Sequence, residues 1–259
     1  MLNTAIKAAR RAATVINRAS FDLDRITVSE KQHNDFVTDI DQASEQAIVE
    51  TLLKAYPDHA ILAEESGASS NLNDESENVW IIDPIDGTTN FLHGYPNYCI
   101  SIALQQRGVI TNAVIYDPVR NDLFTATKGA GAYLNDKRIR VRNPDRIARA
   151  LIGSGHGAEP RQLAEYLRMY EVVAPRCHGV RAGGSAALEL ANVAAGRIDG
   201  FFEKGLKTWD IAAGALLVTE AGGIVGEFSG ESDYLNKGDV IAAGPKVFGG
   251  MVQLLRPFA

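Results

Sequence analysis

Apolar and polar positions divide the chain into many short elements. Leu2, Ile6, Ala9, Ala13 and Ile16 share one face at helical spacing, with Lys7, Arg10, Arg11 and Arg18 opposite, which predicts a first amphipathic helix. The first 21 residues contain no acid, as in an organellar transit peptide, but a helix of the fold already accounts for the stripe. Residues 22–37 are polar and read as a loop or weak hairpin. A second helix is expected over 44–56, ended by Pro57. The segments 60–63 and 79–82 read as strands that end in Glu64–Glu65 and in Asp83.

Between 98 and 142 strand follows strand (98–104, 109–116, 123–127) with Gly, Asn and Asp at the joints, the pattern of an antiparallel sheet. Beyond 150 the pattern alternates. It predicts strands near 151–152, 199–202, 223–227 and 240–243, helices near 160–170, 185–195 and 209–221, and a closing helix after Pro245. The expectation is one domain over 1–259, with an α+β part over 1–145 and an α/β part over 146–259, tightly joined.

At 259 residues and 46% hydrophobic the chain has enough apolar surface for a substantial core. Its net charge of −6 gives no global attraction for nucleic acid or an anionic membrane, so an anionic substrate needs local help from metal ions or backbone amides. Apolar runs fall short of the roughly 20 residues that span a bilayer. Cys99 and Cys177 follow neither a zinc nor a disulfide pattern, and a reducing cytoplasm is the expected compartment.

Chemistry concentrates in Trp80-Ile81-Ile82-Asp83-Pro84-Ile85-Asp86-Gly87-Thr88-Thr89-Asn90-Phe91. A strand delivers Asp83, Pro84 stiffens the bend, and Asp86 follows three residues later with Gly87 permitting an unusual backbone conformation. Converging carboxylates suit a hard cation such as Mg²⁺, and the Gly87 and Thr88 amides suit a phosphate oxygen. Each acid also has an ordinary explanation. Asp86-Gly87 is a common tight turn, Asp210 begins a helix, and Asp39 with Gln42 has capping-box spacing around Asp41. Spacing alone leaves both readings open.

Three ordered motifs resemble the inositol monophosphatases, within the lithium-sensitive, metal-dependent phosphatases. They are Ala63-Glu64-Glu65-Ser66, the Asp83–Phe91 stretch, and Trp209-Asp210-Ile211-Ala212-Ala213-Gly214 running into Glu220-Ala221-Gly222-Gly223. The stretch from Asp35 to Asp41 and Gly184-Ser185-Ala186-Ala187 also look like the family's segments. The resemblance implies a layered αβαβα phosphatase sandwich and two or three Mg²⁺. Glu64, Asp83 and the Ile85 carbonyl would hold one metal, and Asp83, Asp86 and Asp210 a second. Glu64, Thr88 and Asp41 would be catalytic, with Thr88 orienting a metal-activated water and Asp41 behind it. Gly87, Thr88, Gly184, Ser185, Ala186, Glu203 and Asp210 would contact substrate, although Glu203 in Phe202-Glu203-Lys204 also reads as a plain surface acid.

The implied activity is hydrolysis of a small polyol or sugar phosphate, inositol monophosphate first, with lithium sensitivity and a homodimer. Fructose bisphosphate, a nucleotide-derived phosphate, and an added non-catalytic role in an RNA or transcription complex are the alternatives. Residues 29–34 match the family's mobile loop only loosely, and Gly205-Leu206-Lys207-Thr208 departs from the animal form, so substrate is less determined than reaction. A dinucleotide-type turn at Gly153-Ser154-Gly155-His156-Gly157-Ala158 lacks the acid expected about 20 residues on. No phosphate-binding loop of the kinase type occurs, and the five histidines include no pair at helix spacing.

Overall fold

The computed structural model describes the backbone of residues 1–32, 35–73, 76–157 and 160–259, with side chains throughout except at 25, 30–32, 35–37 and 160. Helix α1 (Leu2–Ala19) forms where expected, but its buried face is Ala5, Ala8, Ala9, Ala12, Ala13 and Ile16. Leu2 and Ile6 lie at the edge of that face, partly exposed. Ala9, Ala13 and Ile16 of the expected stripe are buried, and the face extends over Ala5, Ala8 and Ala12 instead of Leu2 and Ile6, because small alanines let α1 pack closely on its neighbours.

The polar segment that follows is a hairpin, β1 (Val28–Gln32) antiparallel to β2 (Asp35–Thr38), and residues 33–34 of the expected mobile loop lie outside the described residues. Helix α2 (Asp39–Ala55) begins earlier than the position 44 expected. Its cap is Thr38, whose hydroxyl accepts from the Ile40 and Asp41 amides at 3.1 and 3.2 Å. Asp41 Oδ2 accepts in return from the Thr38 amide at 2.8 Å, so the capping box is Thr38–Asp41 rather than Asp39–Gln42.

A first sheet collects β3 (Ala60–Ala63), β4 (Gly67–Ala68) and β5 (Asn78–Asp86), then, after the short helix α3 (Thr88–Leu92), β6 (Cys99–Gln106), β7 (Val109–Asp117), β8 (Asp122–Thr127), β9 (Gly131–Leu134) and β10 (Lys137–Arg138). Its order is β10-β9-β8-β7-β6-β5-β3-β4, antiparallel except between β3 and β5. The rest of the chain supplies β11 (Leu151–Ser154), α4 (Pro160–Val173), β12 (Gly179–Ala182), α5 (Ala186–Ala194), β13 (Gly200–Glu203), α6 (Thr208–Glu220), β14 (Ile224–Gly226), α7 (Tyr234–Lys237), β15 (Val240–Ala243) and α8 (Pro245–Leu255). A second sheet runs β12-β11-β13-β15-β14.

Strand alternation builds the layers. Trp80 and Ile82 of β5 face α1 and α2, while Val79 and Ile81 face α5 and α6. Helices α5 and α6 also pack on Phe201, Val240 and Ala242 of the second sheet, whose other face meets α4 and α8. The order is thus helices, sheet, helices, sheet, helices, the αβαβα sandwich expected.

Ala8 and Ala12 are fully buried between α1 and its neighbours, so added volume there has nowhere to go. Ala8→Leu is expected to cost about 1–3 kcal/mol, read as a lower urea midpoint at unchanged slope.

Candidate active site

The site begins with an irregularity in β5. Asp83 pairs with Ser101 and Asp86 with Cys99, so three steps along β5 match two along β6. Residues three apart on a regular strand point to opposite faces, and the extra residue of this β-bulge brings both carboxylates to one side. Pro84 sits inside the bulge, where its missing amide breaks no ladder. The strand does not end at Asp83, as the sequence suggested, but continues to Asp86. Ser44 of α2 braces the bulge by donating to the Pro84 carbonyl at 3.1 Å.

Gly87 follows at φ +100° and caps α3. A Cβ there would sit 3.1 Å from the carbonyls of Asn97 and Gly184, so both the backbone angle and the space require glycine.

Carboxylate oxygens of Asp83, Asp86 and Asp210 all lie within 4.8 Å of one another. Asp83 is buried and accepts from the Ile85 amide at 3.0 Å. Asp86 accepts from Ser185 Oγ at 2.6 Å and from the Ala187 amide at 2.7 Å, at the start of α5. Asp210 lies in the first turn of α6 and accepts from the Lys207 amide at 2.7 Å. It therefore caps its helix and belongs to the cluster at once.

Burial raises the Asp83 carboxyl well above the usual range, and the charges of Glu64, Asp86, Asp210 and Asp41 push it further. Burial also raises Asp86, against the donors of Ser185 and the α5 amides. Asp210 is raised by burial and by Asp86, with the Lys207 amide opposing. Acids that force one another toward the protonated state, with only oxygen donors among them, fit a hard divalent cation. Glu64 stands beside the three, its amide bonded to the Ile82 carbonyl at 3.1 Å. The turn after it is clamped by Glu45 of α2, which accepts from the Glu65 and Ser66 amides at 2.8 and 2.9 Å.

Thr88 Oγ1 lies 2.9 Å from Asp41 Oδ1 and 3.0 Å from the Ile85 carbonyl, donating to them. Asp41 is buried, and the Thr38 hydroxyl reaches its other oxygen at 2.5 Å. The Gly183–Gly184 turn is drawn to α3 by Asn90, whose Nδ2 donates to the carbonyls of Asn97 and Gly183 at 2.7 and 2.8 Å. This turn delivers Ser185, whose hydroxyl is engaged with Asp86, and then Ala186, which opens α5.

Glu203 is not a surface acid. It closes β13 at 9% exposure, and burial followed by the charges of Asp210, Asp86 and Glu189 raises its carboxyl well above the ordinary range. Sequence reasoning missed Glu45, Asn97 and Glu189, and quoted Asn90 without a role. Glu189, buried on α5, is pushed up to about 7 by burial and by Asp86. Of the dinucleotide-type turn, Gly153 and Ser154 remain within β11, and Ala158 lies outside the described residues.

The profile of the inositol monophosphatase family matches residues 1–256. The chain belongs to that family. A putative Nus factor SuhB of Neisseria meningitidis serogroup B is 50% identical over 255 residues, covering 98% of this chain and 97% of the relative. A Nus factor SuhB of Pseudomonas aeruginosa is 46% identical, covering 99% and 96%. Among solved structures, the extragenic suppressor protein SuhB of Bartonella henselae superposes at a TM-score of 0.94, with 39% identity and 98% and 97% coverage. An inositol monophosphatase from Anabaena does so at 0.86, with 34% identity and 99% and 95% coverage. An inositol-monophosphatase-family phosphatase therefore has its acids gathered at this bulge.

The raised acids set the sign of a pH dependence. A carboxyl raised on folding binds its proton more tightly in the folded state, so its contribution is intact below the unfolded value and lost as pH rises toward the folded one. For Glu189 that window runs from 4.5 to about 7 and amounts to about 3 kcal/mol. In EDTA the urea midpoint should fall across this window, and Glu189→Gln should make the decline shallower. Identical slopes in the two proteins would contradict the assignment.

Proposed function

We propose that this protein is a Mg²⁺-dependent phosphomonoester hydrolase acting on a small polyol or sugar phosphate, with inositol monophosphate the leading substrate. The observation that carries the reading is the group of three carboxylates within 4.8 Å, gathered from β5 and α6. Asp83, Asp86 and Asp210, with Glu64 and the Ile85 carbonyl, would hold two or three Mg²⁺. Bound there, the metal neutralises phosphate charge and makes water a stronger nucleophile at neutral pH.

The chain's own residues supply the rest. Because Thr88 Oγ1 gives its proton to Asp41 or to the Ile85 carbonyl, its free lone pairs accept from a water and fix that water's orientation. Asp41 stands behind as the proton's acceptor. The Gly87 and Thr88 amides and the α5 start at Gly184, Ser185 and Ala186 suit phosphate oxygens, as helix N-termini do. Glu203, held toward its protonated form, offers both a donor and an acceptor to substrate hydroxyls. Free Cys99 and Cys177 agree with a cytoplasmic setting, and no helix among the described residues is long and apolar enough to cross a membrane.

A second role is favoured by the relatives named Nus factors and by one surface feature. Residues 137–149 carry six basic side chains (Lys137, Arg138, Arg140, Arg142, Arg146, Arg149), all exposed, against the single acid Asp145. Ile139 and Val141 pack on the core, leaving Arg138 and Arg140 on the outward face, while Arg142 Nε lies 3.6 Å from the buried Asp199 Oδ1. We propose that this strip meets a polyanionic partner such as RNA in a transcription complex, and that the protein works there and in catalysis as a homodimer.

Asp210→Asn tests the first reading. Asn keeps an oxygen for the Lys207 amide, so the helix and the melting curve should survive. Hydrolysis at saturating Mg²⁺ should fall at least about a hundredfold, equivalent to about 2.7 kcal/mol of barrier. Wild-type turnover by this variant, or turnover in excess EDTA, would refute metal dependence at this site. For the second reading, replacing Arg138 and Arg140 by Ala should weaken RNA retention and its salt dependence while hydrolysis is unchanged.

A further inference from the structure

Next to Glu203 lies a cavity of about 270 Å³ whose lining includes none of the carboxylate cluster. Gly155 and the residues after Glu203, Lys204 and Gly205, belong to its lining. A Cβ at Gly155 would overlap the Glu203 carboxylate, so bare backbone there is what seats Glu203 between the cluster and the cavity. Gly157 and Gly205 flank the Gln162 amide in the same way. A Cβ on Gly157 would overlap that amide, and one on Gly205 would come within 3.3 Å of it. Three glycines of the lining thus give way to polar side chains.

The lining mixes ring faces with hydrogen-bonding groups. His156 and Tyr166 have ring centroids 5.1 Å apart, tilted by 40°, and Gln162 and Asp239 bring polar atoms to the lining. Ring faces suit the C–H patches of a sugar, and amide and carboxyl groups suit its hydroxyls. The volume lies just below the range of about 300–1,000 Å³ that drug-sized ligands fill, enough for one sugar-sized ring.

Charge decides what such a ring can carry. Lys204 Nζ is 2.6 Å from the Phe258 carbonyl, 3.1 Å from Glu165 Oε1 and 3.6 Å from Asp239 Oδ2. Lys237 Nζ is 2.6 Å from Glu227 Oε2. Both lysines of the lining are committed to acids, and Glu203 stands next door, so a second phosphate would meet no surplus positive charge.

We propose that this cavity is a subsite for an uncharged, hydroxyl-rich second unit, one sugar ring in size, carried by the alcohol whose phosphate ester is cleaved. The proposal rests on the phosphatase reading above. It favours phosphorylated glycosides over sugar bisphosphates.

The test uses the full chain with Mg²⁺ and four substrates: p-nitrophenyl phosphate, glucose 6-phosphate, trehalose 6-phosphate and fructose 1,6-bisphosphate. The expected kcat/KM for trehalose 6-phosphate exceeds that for glucose 6-phosphate by about tenfold, the worth of one or two good hydrogen bonds. Gln162→Trp, at an exposed position of α4, should bring that ratio to about one, and Gln162→Ala should lower it less. In EDTA, saturation-transfer NMR should detect unphosphorylated trehalose on the wild type and lose it on Gln162→Trp. Equal kcat/KM for the two sugar monophosphates, no transfer from trehalose to the wild type, or fructose 1,6-bisphosphate as the best substrate would each overturn the subsite. Failure to hydrolyse p-nitrophenyl phosphate as well would instead overturn the phosphatase reading.

Discussion

Three carboxylates within 4.8 Å repel one another, and much of this architecture is arranged to hold them there. At an effective dielectric of about 20 each ionised pair at that distance costs about 3.5 kcal/mol, so three pairs cost about 10. Four helices begin around the cluster, α2 at Asp39, α3 at Thr88, α5 at Ala186 and α6 at Thr208, and their first amides offer partial positive charge. A helix N-terminus contributes about 0.3–1 kcal/mol, up to about 2 where partly buried. That offsets part of the repulsion. The remainder pushes these carboxyls toward holding protons, which a bound cation would replace.

Helix caps and the site are consequently the same residues. Asp210 bonds the Lys207 amide and Asp41 bonds the Thr38 amide, the ordinary role that sequence spacing assigned to such acids. Each carboxylate has two oxygens. One satisfies a helix end, which fixes the side chain's direction, and the other is left for chemistry, as where Asp41 Oδ1 takes the Thr88 hydroxyl. Capping does not compete with cluster membership at Asp210 or with the Thr88 contact at Asp41, so a variant of either should be judged on stability and rate together.

Most elements were legible from local signals, whereas the layering and the gathered acids were legible only through the resemblance of three ordered motifs, spacing alone leaving turn and cap readings open. Alternation placed β5 to β8, helical spacing placed α5 and α6, and the residues between Asp83 and Thr88 announced an unusual turn. Other features depend on partners remote in sequence. Asp86 is held by Ser185 and Ala187, about a hundred positions on, and Asn90 by Gly183. No local pattern encodes those bonds. Strand β12 escaped notice because four residues beginning with glycine, paired on one side only, carry little strand signal. The bulge was hidden because an inserted residue shows only against the neighbouring strand.

Acids and glycines are paired where the second sheet meets the helix layer between the sheets. Glu203 fits where Gly155 leaves its carboxylate room, and Glu189 fits against Gly153 and Gly183, so each acid is positioned by a missing side chain opposite it. A Cβ at any of these glycines would displace the acid it faces. Asp83 and Asp86 belong to the first sheet, Asp210 to the helix layer between, and Glu203 to the second sheet. The groups suited to the phosphate and those suited to its alcohol thus hang from different layers. On the function proposed above, a change in β11, β13 or α4 would alter the alcohol accepted while the bulge keeps Asp83 and Asp86 where they are.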